Sequence, residues 1–356
     1  VGQAAWIDQQ LALPFVPDMV AAVQARFDLG DAYRPGGANY FPTRVTERFW
    51  EAAATSPDQL RRRMGFALHQ IFMVSQADSN LYQQVRAYAQ YFDTLNRHAL
   101  GNYRDLLEQI ALSPAMGIYL SHMRNRPEDP ATGRTPDENF AREVMQLFTI
   151  GLHELNIDAS PRLDGNGQPI ETYNNNDVLA LAKVFTGWSW AFPDNQLTEQ
   201  TFRYLSPDLS AAADQRIDLL PMKAYPGLHS TGEKRLFSGK AQSLTLPAGN
   251  SAQADLKLAL DALFNHPNVG PFIGRQLIQH LVSSHPSPAY VARVAAVFNN
   301  NGKGVRGDLG AVARAILLDS EATNPPAGSI GKLREPVVRV AHWMRSLQAV
   351  SVSGQY

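Results

Sequence analysis

The chain has 356 residues, 44% of them apolar and 18% charged, which is globular composition and excludes wholesale disorder. Its 32 Lys and Arg against 33 Asp and Glu leave a net charge of −1, without the basic excess of a protein that wraps nucleic acid, so no nucleic-acid partner is expected. It has no cysteine, which excludes disulfides, thiolate metal sites and a cysteine nucleophile, and no apolar run approaches the ~18–20 residues of a membrane helix.

Val1 opens the sequence without methionine and inside helical text, as expected of a mature or trimmed piece of something longer. Short amphipathic helices are predicted over 4–13 and 17–29, then over 43–55 and 57–75, the last with Ser56 as cap and Pro57 in its first turn. Helices follow over 81–100, stopped by Gly101, over 102–112, and over 114–124 with Ser113 as cap. Residues 125–134 are rich in Pro, Gly and charge and read as a loop. Thr135, Pro136 and Glu138 carry the signature of a capping box opening a helix over 136–150, with Gly151 as its C-terminal stop. Asp164-Gly165-Asn166-Gly167 is a hairpin turn signal inside 162–173. A helix over 177–186 puts Val178, Leu181, Ala182 and Phe185 on one face. Residues 188–250 hold Trp188, Trp190 and many Pro and Gly, and predict a long irregular excursion with some strand. Helical text resumes over 252–265, 269–283, 288–299, 308–319 and 334–350. There is no repeat and no clean linker. The expected fold is mainly α, an irregular multi-helix single domain over 1–356 with short β-hairpin insertions and an irregular inserted region at about 188–250.

The helix over 136–150 carries the most pointed chemistry. Asn139, Glu143 and Gln146 recur at i, i+4 and i+7 and form one polar stripe, with Arg142 flanking it and four residues after Glu138. Glu143 is the candidate acid or base, and Asn139 and Arg142 are candidate substrate contacts. The competing reading is a solvated face laced by one ion pair. His69, among Gly65, Phe66, Phe72 and Met73, is either a satisfied core histidine or a proton carrier with a shifted pKa. His229 and Lys234 fall in a loop, LHSTGEK, where polar residues often carry function; an ordinary turn is the alternative. His153-Glu154 lacks the second histidine of a zinc protease helix, and Asp164, Asn166 and Gln168 match a calcium loop poorly. No Walker A, GxGxxG or GxSxG motif occurs, so the cofactor stays unknown and no metal site is expected. Arg61-Arg62-Arg63 reads as a solvated helix face.

The order GFALHQIFMVS, GNYRDLLEQIALSPAMGIYLSHMRN, PDENFAREVMQLFTIGLHELN, DVLALAKVFTGW and LHSTGEK resembles the bacterial family catalogued as domain of unknown function 1800, over roughly 4–350. Its ENxARExxxLxTxG core falls on Glu138, Asn139, Ala141, Arg142, Glu143, Leu147, Thr149 and Gly151. Asp177, Thr186-Gly187-Trp188, His229, Gly232 and Lys234 match further blocks, with Ser230 in place of an acid. Many members carry histidine where Phe148, Ile71 and Ser113 stand, so a metal site built on those histidines would be depleted in this chain. The resemblance implies an exported protein, periplasmic or extracellular, often encoded beside a sulfatase-like partner.

Two functions are expected from these residues, with a metal-dependent oxidoreductase or hydrolase as a third reading. The first is a hydrolase or lyase acting on a polysaccharide, with Glu143, His69 and His229 as acid–base groups and Arg142, Asn139, Asp177, Trp188 and Lys234 against the substrate. Glycoside hydrolysis needs carboxylates about 5–10 Å apart, and sugars stack on exposed aromatics. The second is a non-catalytic binding or assembly module of an export or cell-surface system. A shared polar cleft holding Glu143, Arg142, His69 and His229 would favour the first.

Overall fold

The computed structural model describes residues 2–28, 41–82, 84–192, 197–203, 217–329, 331–352 and 356. Among these the fold is mainly α, with sixteen helices and two small antiparallel two-stranded sheets, all strands lying within 188–250 as expected. The chain divides into two compact units, one of Val1–Tyr103 with Gly274–Tyr356 and one of Arg104–Ile273.

The first unit starts with α1 (Gln3–Ala12), α2 (Met19–Asp28), α3 (Phe41–Thr55), α4 (Gln59–Ile71) and α5 (Val85–His98). Its later elements are α13 (Pro288–Asn299), α14 (Leu309–Leu318), α15 (Ser320–Thr323) and α16 (Pro336–Ser346). α5 packs on α2 and α4, and α16 on α3. The faces that meet hold Met64, Leu68, Tyr91 and Leu95, all fully buried. The carboxylate of Asp93 on α5 accepts the amides of Asp18, Met19 and Val20 at 3.0–3.2 Å, so the donors left over at the start of α2 are satisfied by a residue about 75 positions away. The start of α4 departs from the expected cap. Asp58 occupies the N-cap position and Ser56 lies outside the helix, where its carbonyl accepts from Gln59 at 2.6 Å.

The second unit holds α6 (Tyr103–Ala111), α7 (Pro114–Tyr119), α8 (Asn139–Gln146), α9 (Asn175–Val184), α10 (Glu199–Arg203) and α11 (Ala252–Asn265). Trp188–Ser189 (β1) pairs with Lys223–Ala224 (β2), and Lys234–Leu236 (β3) with Leu244–Leu246 (β4). α12 (Val269–Leu281) follows. The expected 162–173 hairpin appears as isolated bridges, Leu163 to Pro169 and His153 to Glu171. Its turn forms because the Asp164 side chain accepts the amides of Asn166 and Gln168, each at 2.8 Å. α9 sits between α8, α11 and β3, and an aromatic stack of His122, Phe140 and Phe185 fills the core beside it.

Candidate functional site

α8 carries Glu143, but it begins three residues later than the capping-box reading requires. Thr135 is exposed and makes no cap; the N-cap position is Glu138. The reason lies in Asn125. Its Oδ1 accepts the Asp137 amide at 2.8 Å and its Nδ2 donates to the Asp137 carbonyl at 3.0 Å, a side-chain clamp that holds Asp137 out of the helix. The Asp137 carboxylate then accepts the Asn139 amide at 2.9 Å and starts the first turn. Replacing Asn125 by Ala is expected to cost about 2 kcal/mol through two lost hydrogen bonds, and Thr135→Ala less than ~0.5 kcal/mol; urea denaturation of both variants checks this. The far end follows expectation. Gly151 has φ +68° and donates its amide to Met145 at 2.9 Å; a Cβ there would lie 2.9 Å from the Phe272 ring, so glycine is required twice over.

The polar stripe on α8 is present. Asn139 is exposed, Glu143 and Gln146 are half-buried, and the Tyr173 hydroxyl donates to Gln146 Oε1 at 3.3 Å. Arg142 pairs with Glu138 at 3.2 Å, a half-buried i, i+4 pair still open to solvent and of little energetic weight. Glu143 Oε2 is closed off from solvent with no hydrogen-bond partner. Burial raises the Glu143 pKa, with Arg142 offsetting part of it, and burial also raises that of Tyr173 beside it.

His229 and Lys234 do not join this stripe as hydrogen-bond partners. Both are buried and converge on Asp255 of α11, a residue that carries no motif in the sequence. His229 Nε2 lies 3.1 Å and Lys234 Nζ 2.6 Å from Asp255 Oδ2, while Asn250 donates to Oδ1 at 2.8 Å. The other His229 nitrogen, Nδ1, lies 2.9 Å from the Thr186 carbonyl, and Lys234 also donates to the carbonyls of Ser230 and Gly232. Burial alone would raise the Asp255 pKa; the hydrogen bonds from His229, Lys234 and Asn250 outweigh it and hold the carboxyl below the usual range. This knot ties the 228–234 segment to α11. Gly187, with φ +79°, lets that segment approach to where a Cβ would meet His229 N and Leu228 O at 2.9 Å.

Asp177 is also engaged within the fold. It forms a capping box with Asn174 at the start of α9, and its Oδ1 accepts the Phe237 amide at 2.5 Å. Trp188 is buried, with its indole N–H donating to Val184 O at 3.3 Å. One edge of Trp188 lines a broad groove of about 810 Å³ whose charges neutralise one another: Arg104 pairs with Asp261 and Glu108, and Lys257 with Asp261.

His69 lies in the first unit. Its ring stacks on Phe92 at 4.6 Å, its Nε2 is sealed without a partner, and burial lowers its pKa to about 4. Glu143 and His229 belong to the second unit.

The first unit holds a cavity that the sequence did not announce. It encloses about 350 Å³ and is lined by apolar residues of α3, α4, α5 and α16 together with Arg62, Arg63, Arg334, His342 and Arg345, with no carboxylate among the lining side chains. The Arg61-Arg62-Arg63 run is therefore no solvated face: Arg61 is buried and the other two are half-buried. Arg62 is neutralised by Asp18 and Asp58 at 2.7 and 3.2 Å. Arg63, Arg334 and Arg345 have no carboxylate within 4 Å among the described residues. Arg345 donates to the carbonyls of Ala54 and Ser56, and Arg334 to His342 Nδ1 at 2.9 Å. Burial, then Arg334 and Arg63, push the His342 pKa down, which keeps the ring neutral and able to accept. Arg63 donates one nitrogen to the His280 carbonyl, while its Nη1 is buried with no partner. The signal was hard to read in sequence because α4 and α16 lie some 270 residues apart.

Among the described residues no group of three or more His, Asp or Glu side chains is placed to hold a metal ion. No helix among them is long and apolar enough to cross a membrane. The fold and cavity define a mainly helical two-unit protein with a cationic, apolar-walled pocket in its first unit. The chain belongs to the family described as Protein of unknown function (DUF1800), whose model matches residues 1–355. No curated protein and no solved structure matches it at a significant level.

Proposed function

We propose that the chain is a non-catalytic binding module of an extracytoplasmic bacterial system, and that the first-unit cavity takes an anion. The observation that carries this reading is the buried, unpartnered Nη1 of Arg63 in a cavity with three further arginines and no lining carboxylate. A buried cationic donor without an acceptor is costly, and a ligand oxygen would satisfy it. The candidate acid–base groups give less support to catalysis, since His229 is held by Asp255 and His69 is stacked on Phe92 with its pKa lowered by burial to about 4. In a thermal-unfolding series at constant ionic strength, organic carboxylates are expected to raise the midpoint more than chloride does, and Arg63→Gln to remove that difference. Equal midpoints in all salts, with no stabilisation by any organic anion, would sink the reading.

A second reading rests on Glu143. A half-buried carboxyl with one sealed, unpartnered oxygen and a raised pKa is what a general acid needs, and Tyr173, Gln146 and Arg142 stand beside it. On that reading the protein is a polysaccharide hydrolase or lyase working beside a sulfatase-like protein. Incubation with mixed acidic and neutral polysaccharides should then release reducing or unsaturated ends, and Glu143→Gln should slow this at least about 100-fold. Unchanged turnover in that variant would remove Glu143 from the chemistry.

A further inference from the structure

We infer that the ligand of the first-unit cavity is an amphiphilic organic anion, a carboxylate on an apolar body of about ten carbons; this deepens the anion-binding reading above and rests on it. A site for a bare inorganic anion would be small and polar on all sides. This one is not. Trp6, Phe49, Phe66, Phe92, Leu281 and Val338 contribute to its walls, and the arginines share the space with them. Such a wall gains nothing from a hydrated ion but excludes water favourably when an alkyl or aryl group fills it.

Size narrows the class. Its volume of about 350 Å³ falls at the lower end of small-ligand pockets, roughly 300–1,000 Å³, and takes an alkyl or aryl body of about ten carbons. A sugar chain is too hydroxylated for these apolar walls.

The head group is set by the donors. Arg63 offers Nη1 with no competing acceptor, and its guanidinium carbon lies 5.7 Å from the Phe66 ring centre, so a bonded carboxylate would sit where the polar and apolar walls meet. The neutral His342 accepts from Arg334, which fixes that second guanidinium without cancelling its charge. A planar carboxylate matches a guanidinium edge and needs no larger pocket. Glu335 acts electrostatically on Arg63, but its Oε1 pairs with Lys332 at 2.9 Å, its Oε2 is sealed without a hydrogen-bond partner, and it forms no ion pair with Arg63 within 4 Å, so the Arg63 Nη1 is left to a ligand.

Calorimetric titration of the full chain with decanoate, acetate and decanol tests this. Decanoate is expected to bind at least tenfold more tightly than either control, since only it uses both walls. Arg63→Gln should weaken decanoate about tenfold or more and leave decanol within twofold, as loss of one charge-assisted hydrogen bond requires. Should Arg63→Gln fail to fold, Arg334→Gln serves for the head group and Val338→Trp, which fills the apolar end, for the body. Acetate binding as tightly as decanoate overturns the amphiphile and leaves the anion site standing. Decanoate binding that none of these variants changes places it elsewhere and overturns the inference. Failure of every anion to bind removes both the inference and the reading beneath it.

Discussion

Replacing Asp255 by Ala is expected to destabilise the protein by about 3–5 kcal/mol, measured by urea denaturation at neutral pH, because it strands a buried lysine without its counter-charge. Lys234 is 1% exposed and Asp255 fully buried, so water cannot take over the lost contact. The variant also removes the acceptor of His229 Nε2 and of Asn250. Lys234→Met should cost less, since Asp255 keeps two of its three side-chain partners and a flexible apolar chain fills the space. The same knot has a pH signature. Asp255 is held below its ordinary 3.8, so the native carboxylate releases its proton more readily than the unfolded one. Its contribution is present in full above the ordinary value and is lost as pH falls through the depressed one. The Asp255→Ala variant should therefore lose less stability than the parent between neutral pH and about pH 3. An equal loss in both would show that the carboxylate is not held as described.

The second large effect is acid destabilisation through neutral buried histidines. His122 is 1% exposed and stacks on Phe140 at 3.8 Å. Its Nε2 is 2.8 Å from the Ala111 carbonyl, and its Nδ1 has no partner. Burial lowers its pKa from 6.5 to about 4, and the Ala111 bond offsets only part of that. Between those values the unfolded chain holds a proton that the native ring refuses, so stability falls as pH falls. The full penalty is about 3 kcal/mol, reached near pH 4. His69 shifts the same way, to about 4, with a smaller expected penalty because part of the residue still reaches solvent. His122→Phe keeps the stack but carries no proton. Its stability should fall distinctly less than the parent's from pH 7 to 5, the remaining slope being that of His69, in urea midpoints taken at half-unit steps. A parent-like slope in the variant would assign the acid sensitivity to other groups.

Much of the local structure was legible because its causes are local. The periodicity of 252–265 gives α11 (Ala252–Asn265) to the residue, with Ser251 capping it through Ala254 N at 3.2 Å. Ser287 before Pro288 does the same for α13 (Pro288–Asn299), and Gly151 ends the α8 segment with the expected positive φ. The Asn139–Glu143–Gln146 stripe follows from helix geometry alone. The mainly α class, with short strands inside 188–250, needed no more than counting periods and turn residues, while the hairpin expected over 162–173 appears only as isolated bridges.

What only the tertiary structure decided depends on groups distant in sequence. Thr135 and Glu138 spell a capping box, yet Asn125 captures Asp137 first, and two side-chain bonds to backbone override a local preference worth about 1 kcal/mol. His229 and Lys234 look like loop chemistry, but Asp255 draws both into the interior. The Arg61-Arg62-Arg63 run has three fates: Arg61 donates to the carbonyl of Leu13, Arg62 pairs with Asp18, and Arg63 lines a cavity. Sequence fixes which side chains a helix offers on each face; burial and charge pairing, set by segments hundreds of residues away, decide which of those side chains keep an unmet need for a partner.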